Sequence, residues 1–492
     1  MAAGLQDRLV EVEVSALVAG VERVPVGAGK AFRAYDPGQV LLMAPCLQDW
    51  VPDGHLARFV SDLVDEALDL SAIYASYEEE RGFPPYDPRL MVKLLIYGYA
   101  TGTPSSRKLE ERTHSDVAVR FLCADQHPDY RPIARFRKRH LDALAELFVQ
   151  ALRLCREAGL VGLGALALDG TKLRANASRH KAMSYERMVK KEKELEAEIA
   201  AIRANAQALL ADAERVDAQE DERFGPDRRG DELPLELQRR EQRLARIREA
   251  KAALEEQARE RERARRAELK KQGKKPGRTR DGRDPFAPKP TAQRNFTDPE
   301  SKIMKTSDGS FHQCFNGQAI VDSEAQVIVA AELSDQAPDA EQLEPALEQL
   351  DENLDVIDAE LPGNAALTAD AGYFSEENIK TTTTHGLDPY IATGRFKHSE
   401  PQPPAPRGPI PKDATPKQRM ARKLKTKKGR TVYARRKAIV EPVFGQMQTV
   451  QNADQLLLRG KPAARAQWRF QCAIHNLLKL HRNGGLALLA PG

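Results

Sequence analysis

The sequence predicts an all-α N-terminal region followed by an α/β domain, a mixed sheet flanked by helices, into which a charged helical hairpin is inserted. Three observations carry that expectation. Apolar residues recur with a helical period through residues 51–160. Short apolar runs alternate with helical patterns through residues 161–180 and 284–484. Residues 181–283, which separate the two parts of that pattern, are rich in charge and carry a seven-residue apolar repeat. A chain of 492 residues exceeds one ordinary domain, and 41% hydrophobic residues suffice for real cores.

Residues 1–50 lack periodicity and read as an N-terminal arm, including a short arm or a few strands. Over residues 55–70, Leu56, Phe59, Val60, Leu63, Val64, Ala67 and Leu68 share one helical stripe. Asp87-Pro88 opens a second helix, which Gly102 ends. Ser105 and Ser106 are placed to cap a third through Arg112, and a short one covers residues 116–122. One long helix opening at Pro132 is expected within residues 129–160. Its first turns carry Arg135, Arg137, Lys138 and Arg139, which fits a helix-turn-helix-like DNA reader; a helical bundle with a basic face is the alternative.

In the insertion, Met188, Leu195, Ile202 and Leu209 repeat every seven residues, with Ile199 and Ala206 in the partner positions. Pro226, Gly230 and Pro234 interrupt the repeat, which resumes at Leu237, Leu244, Ile247, Leu254 and Ala258. Two apolar stripes joined by a turn predict an antiparallel helical hairpin, ending in a flexible basic stretch over residues 270–285. Such an arm could grip DNA or a second protomer, or simply protrude.

The α/β region starts with a strand over residues 165–168 that stops at Asp169. A hairpin follows over residues 315–321 and 326–331, then a helix over 338–350. A strand over 365–368 leads to Asp370, and Ser375 caps a short helix. Another strand spans 389–392, a basic loop runs from 393 to about 431, and helices cover 433–449 and 463–481.

The net charge of +4 hides local polarity. Residues 261–280 hold ten Lys/Arg against two Glu, and residues 421–437 hold nine Lys/Arg and no acid. Basic stretches of this kind suit a phosphate-backbone partner, with a solvated charged helix as the alternative for the first. The five cysteines form no C-x-x-C pair, which argues against a zinc knuckle or a disulfide framework. The first residues lack a signal-peptide layout and no apolar run is long enough to cross a membrane, so a cytoplasmic, nucleoid-associated protein is expected.

Asp169 and Asp370 each end an apolar strand and precede a glycine, Gly170 or Gly372. A carboxylate there escapes burial and sits at the sheet rim, where α/β proteins place their sites. Two on neighbouring strands repel, and a divalent cation with oxygen ligands relieves that repulsion. Glu441 follows Tyr433, Arg436 and Lys437. On one helix Tyr433, Lys437 and Glu441 share a face, Pro442 starts or kinks the helix, and a surface Lys437–Glu441 ion pair is the plain alternative.

The blocks LALDGTKLRANAS, TADAGYFSEENI and Tyr433-x-x-Arg436 leading into VEPVFGQ resemble the DDE transposases of bacterial insertion sequences. YDPRLMVKLLIYGYATGTPSSRKLEE and PIARFRKRH resemble the helical N-terminal module of one branch of that family. The resemblance implies a ribonuclease-H-like catalytic fold and cleavage and joining of double-stranded DNA at terminal inverted repeats, by a homodimer assembled on DNA. It implies Asp169, Asp370 and Glu441 as catalytic residues that bind two Mg²⁺ or Mn²⁺ ions, with Tyr433 and Arg436 or Lys437 against DNA. The family's arginine lies one residue nearer its glutamate, the spacing Lys437 has here, and the lysine expected seven residues past the glutamate is Gln448. A nuclease that cuts without joining and a catalytically dead DNA-binding regulator are the competing functions.

Overall fold

A computed structural model describes residues 46–77, 85–178, 181–224, 235–275, 284–306, 308–394, 408, 410–411 and 413–489, without the side chains of 205–224 and 235–238. Residues 1–45 of the arm expected over residues 1–50, the turn at 226–234 and residues 276–283 of the basic stretch at 270–285 therefore lie outside the described residues, as do the side chains of Ala206, Leu209 and Leu237; residues 47–50 of the expected arm form a short helix.

The N-terminal helices form where the apolar stripe and the caps place them. Helix α1 (Leu56–Asp62) continues as a π-turn over Leu63–Ala67. Helix α2 (Pro88–Ala100) starts at Asp87, whose side chain accepts the Arg89 N–H, with Pro88 in the first turn. Helix α3 (Ser106–Ser115) runs past Arg112, and its Ser105 makes no side-chain cap. Helix α4 (Val117–Leu122) is capped by Asp116. The single long helix expected next is two, α5 (Tyr130–Arg139) and α6 (Leu141–Glu157), broken at His140. His140 packs between Phe136 and Tyr77, and Tyr77 Oη lies 3.1 Å from its Nε2, so tertiary contacts turn the chain where helical propensity alone would carry on.

The sheet is mixed. Strand β1 (Ala165–Arg174) is central, antiparallel to β5 (Phe311–Asp322) and parallel to β7 (Ala366–Ala369). Strand β8 (Asp388–Ile391) extends β7 in parallel, and β4 (Lys302–Lys305) and β6 (Ile328–Ser334) share the far edge of β5. Strand β1 does not stop at Asp169 as expected. Its ladder with β5 runs from Leu166 to Arg174, whereas its ladder with β7 ends at Leu168. Helices α9 (Leu343–Val356), α10 (Glu376–Thr384, capped by Ser375), α12 (Lys427–Thr449) and α13 (Lys461–Arg482) cover the sheet. The basic loop expected up to residue 431 contains a helix, α11 (Pro416–Lys425), set by a Thr415–Gln418 capping box.

One hydrophobic core joins the N-terminal helices to the sheet. Helix α6 lies along α13, Cys155 Sγ approaches the Asn476 carbonyl at 3.4 Å, and Tyr99 meets Phe470 edge-on at 5.1 Å. Strands β2 (Ala182–Ser184) and β3 (Gln293–Asn295) pair at the root of the insertion. From there α7 (Tyr185–Phe224) and α8 (Leu235–Lys271) run antiparallel. Met188, Leu195, Ile199, Leu244, Ile247 and Leu254 bury between them, where the repeat predicts a seam. Pairs such as Tyr185–Glu255, Lys251–Glu192 and Arg203–Glu241 fix the direction. Among the described residues, no helix is long and apolar enough to cross a membrane.

Candidate active site

The site follows from where the β1–β7 ladder stops. Leu168 pairs with Ala369, so the next pair in that parallel register is Asp169 and Asp370. Both leave the ladder together, side by side at the carboxyl end of β7. Asp169 is largely buried. Its Oδ1 accepts the Gly170 N–H at 2.9 Å and its Oδ2 accepts Arg436 Nη1 at 2.7 Å. Burial raises its carboxyl above the ordinary value, and Asp370 adds to that, while Arg436 and the Gly170 N–H pull it back. Asp370 caps a 3-10 turn, its Oδ1 accepting the Gly372 N–H at 2.7 Å.

Arg436 comes from α12, which crosses β1 and β7. Only 8% of the residue is exposed, and its Nε is buried without a partner. Tyr433, one turn earlier, is close enough to feel Asp370 and Asp169. Burial raises its hydroxyl first and those carboxylates add to it. Tyr433, Arg436, Asp169 and Asp370 are thus brought together.

Glu441 is not brought in with them. Its side chain is 56% exposed, and Lys437 Nζ lies 4.0 Å from Oε1, the surface pair that spacing alone suggests. Among the described residues no three His, Cys, Asp or Glu side chains form a metal-sized group. Pro442 does not start α12 but lies inside it. The proline has no N–H for the Ala438 carbonyl, and Gln326 Nε2 supplies that hydrogen bond instead, at 2.9 Å. Gln448, in the place of the expected lysine, donates to Thr171 Oγ1 at 3.0 Å.

Asp339 is the residue that sequence reasoning missed. Its Oδ1 accepts Asn316 Nδ2 at 2.7 Å, Gln318 Nε2 at 3.2 Å and Lys172 Nζ at 3.2 Å. Its Oδ2 lies 3.5 Å from where a Cβ on Gly372 would sit. Tyr373, fully buried, donates to Gln318 Oε1, and its hydroxyl is raised well above the ordinary value by burial and by Asp339, Asp169 and Asp370. Gly170 makes room for this network rather than a turn: a Cβ there would come within 2.6 Å of Gln318 Nε2. Lys172, Asn316 and Gln318 inside otherwise apolar strands signal a polar network there, but nothing in them points to Asp339 itself.

The basic residues of α5 divide. Arg135 and Lys138 are exposed. Arg139 is exposed too, but its guanidinium stacks on Tyr77 and donates to the Ser76 carbonyl. Arg137 is 5% exposed and donates to Tyr99 Oη at 3.1 Å, to the Pro104 carbonyl at 2.9 Å and to Ser106 Oγ, so it holds α2, α3 and α5 together rather than facing solvent. His312 lies 2.7 Å from Ser310 Oγ, away from the aspartates.

Comparison with known proteins gives two family matches. Residues 45–139 match the family described as Transposase domain (DUF772), and residues 288–477 match the Transposase DDE domain. The first holds the basic helix α5 and the second holds Asp370, Tyr433, Arg436, Lys437 and Glu441, while Asp169 precedes it. Neither curated proteins nor solved structures give a match.

Proposed function

The chain belongs to the DDE-type transposases of insertion sequences, and from that premise we propose that it cuts DNA at its element's ends and joins the freed 3′ ends to target DNA, with Asp169 and Asp370 at the reacting centre. The observation that supports this best is the parallel β1–β7 register, which makes those two aspartates the first pair beyond the ladder. The family implies a ribonuclease-H-like fold, and the mixed sheet with its central β1 agrees with that.

The donor set suits a hard divalent cation, Mg²⁺ or Mn²⁺, because every candidate ligand is a carboxylate oxygen. Asp169 supports the fit: its buried carboxylate already requires a positive partner, here Arg436. Asp169 and Asp370 would hold the ions, with Glu441 as a third ligand from α12. The chemistry such ions supply when bound is activation of the attacking oxygen and stabilisation of the leaving one. Arg436 offers a planar fork for the phosphate beside Asp169, whereas exposed Lys437 offers a point charge. Tyr433 would line the DNA side of this centre. Arg135, Lys138 and Arg139 would position the duplex through its backbone, and the inserted hairpin and two protomers on paired ends complete the assembly.

The test is Mg²⁺-dependent cleavage and strand transfer on DNA carrying the source element's paired terminal repeats. Wild-type protein should give both cut ends and joined product. Asp169→Asn and Asp370→Asn should each lower cleavage on the order of 10³-fold, about 4 kcal/mol of barrier, and leave DNA binding in place. Glu441→Gln should do the same, and full activity in that variant would remove Glu441 from the centre. Cuts without joined product would leave a nuclease. The exposed position of Glu441 favours a second reading, a DNA-binding regulator, and wild-type protein that binds the repeats without cutting them would establish it.

A further inference from the structure

Among the described residues, helices α7 and α8 carry many charges, and many of these are paired. Arg248 bridges Glu192 and Glu196, Lys251 also meets Glu192, Arg240 meets Glu198 and Arg203 meets Glu241. One stretch differs. A groove of about 480 Å³ at the root of the insertion is lined by Lys181, Arg187, Arg239, Arg243, Arg246 and Phe296 among others. These five cations make no ion pair among the described residues, and the groove has no acidic lining residue of its own. It continues past Arg187 to Lys190, also without an ion pair among the described residues, and to Lys191, which pairs with Glu194 of the same lining. Five like charges in a groove with no acidic lining residue repel one another, and a polyanion would relieve that repulsion.

We propose that this groove is a second DNA-binding site, one that holds the phosphate backbone of a duplex independently of sequence and apart from the Asp169–Asp370 centre. It rests on the reading of the chain as a DNA-processing enzyme. Arg239, Arg243 and Arg246 stand at i, i+4 and i+7, one face of α8, and span roughly 10 Å at 1.5 Å per residue. A DNA strand advances roughly 3.4 Å per nucleotide, so this row of guanidinium groups spans about three nucleotides of one strand. Arg187 and Lys190 form a second row on α7, three residues apart and facing the same groove. Arginine forks suit phosphate oxygens bidentately.

The experiment uses the full chain and a fluorescently labelled 30-base-pair duplex of random sequence, with affinity measured from about 50 to 200 mM salt. The Arg239→Gln/Arg243→Gln/Arg246→Gln variant should bind at least about 10-fold more weakly at low salt, and its log–log salt slope should fall by about 2 to 3, roughly 0.9 for each phosphate no longer neutralised. Arg187→Gln/Lys190→Gln should lower the slope by about 1 to 2. Arg248→Gln, which removes a paired arginine of the same helices, should leave the slope unchanged. All three sites are exposed, and unchanged far-ultraviolet circular dichroism checks that the arm stays folded. Wild-type affinity and slope in both groove variants would overturn the proposal while leaving the enzyme reading intact. Absence of any DNA binding by wild-type protein would sink that reading itself. A third outcome also overturns it: loss of self-association by sedimentation in the groove variants, with DNA binding kept. That would assign the groove to a second copy, whose residues 341–360 carry eight acids and no base.

Discussion

Gln326 sits in the turn between β5 and β6 with a left-handed φ of 60°, and two helices, α12 and α13, meet on it. Its Nε2 donates to the Ala438 carbonyl in α12, its Oε1 accepts Lys479 Nζ at 2.8 Å, and its own carbonyl accepts His475 Nε2–H at 3.0 Å. That last bond fixes the neutral His475 tautomer, whose Nδ1 is buried without a partner. Burial lowers this imidazole to about 4. The unfolded chain takes up the proton near pH 6.5, the folded chain only near 4, so stability is full above about pH 6.5 and falls as pH drops through that window. The difference corresponds to at most about 3 kcal/mol. Denaturant midpoints measured from pH 7.5 to 4.5 should therefore decline, and His475→Leu should flatten that part of the decline. An equally steep decline in the variant would assign the acid sensitivity to other groups.

At the scale of elements, α12 carries the site and depends on a repair. Pro442 interrupts its hydrogen-bond ladder, and Gln326 closes the gap from outside. Gln326→Ala should cost about 1–3 kcal/mol by leaving the Ala438 carbonyl unpaired. In a Pro442→Ala background the new N–H can take over, so the same substitution should cost visibly less. A double-mutant cycle on thermal stability reads that coupling, and simple additivity would exclude it. Most elements were legible in the sequence because caps and periodicity are local: Asp87-Pro88, Ser375 and the Met188–Leu195 repeat lie where their helices form. The failures have tertiary causes. His140 breaks a helix because Tyr77 and Phe136 hold it, and β1 runs past Asp169 because β5 continues where β7 ends. Asp370 does follow a strand end, but Asp169 lies inside β1, where only the ladder with β7 stops. Asp339 could not be read from the sequence, since its partners come from β1 and β5 and no motif surrounds it. The burial of Arg137 was equally hidden, because Tyr99 and Ser106 lie on two other helices.

Across the whole molecule, stability is unevenly distributed. The body has one core that runs from the N-terminal helices through the sheet to α13, so those helices cannot loosen without exposing the apolar face of α13. Among the described residues the arm has its own small cluster of seven buried residues, flanked by ion pairs that are mostly exposed and contribute little in water. Hydrogen exchange should therefore show α7 and α8 opening well before β1, β5 and α13, by about 100-fold or more in protection. Equal protection across arm and body would mean that the arm is coupled to the core more tightly than its contacts indicate.

The two-strand ladder of β2 and β3 places Ser184 opposite Gln293, so the chain leaves the body and returns to it at nearly the same point. A detour that begins and ends in one place is a removable part. Joining Ser184 to Gln293 through a tight turn would leave both ladder strands where they are, and the body would lose a handle without losing a wall. The same geometry makes the arm transplantable: any segment whose ends meet at the width of a strand pair could stand there and give the same catalytic body a different grip.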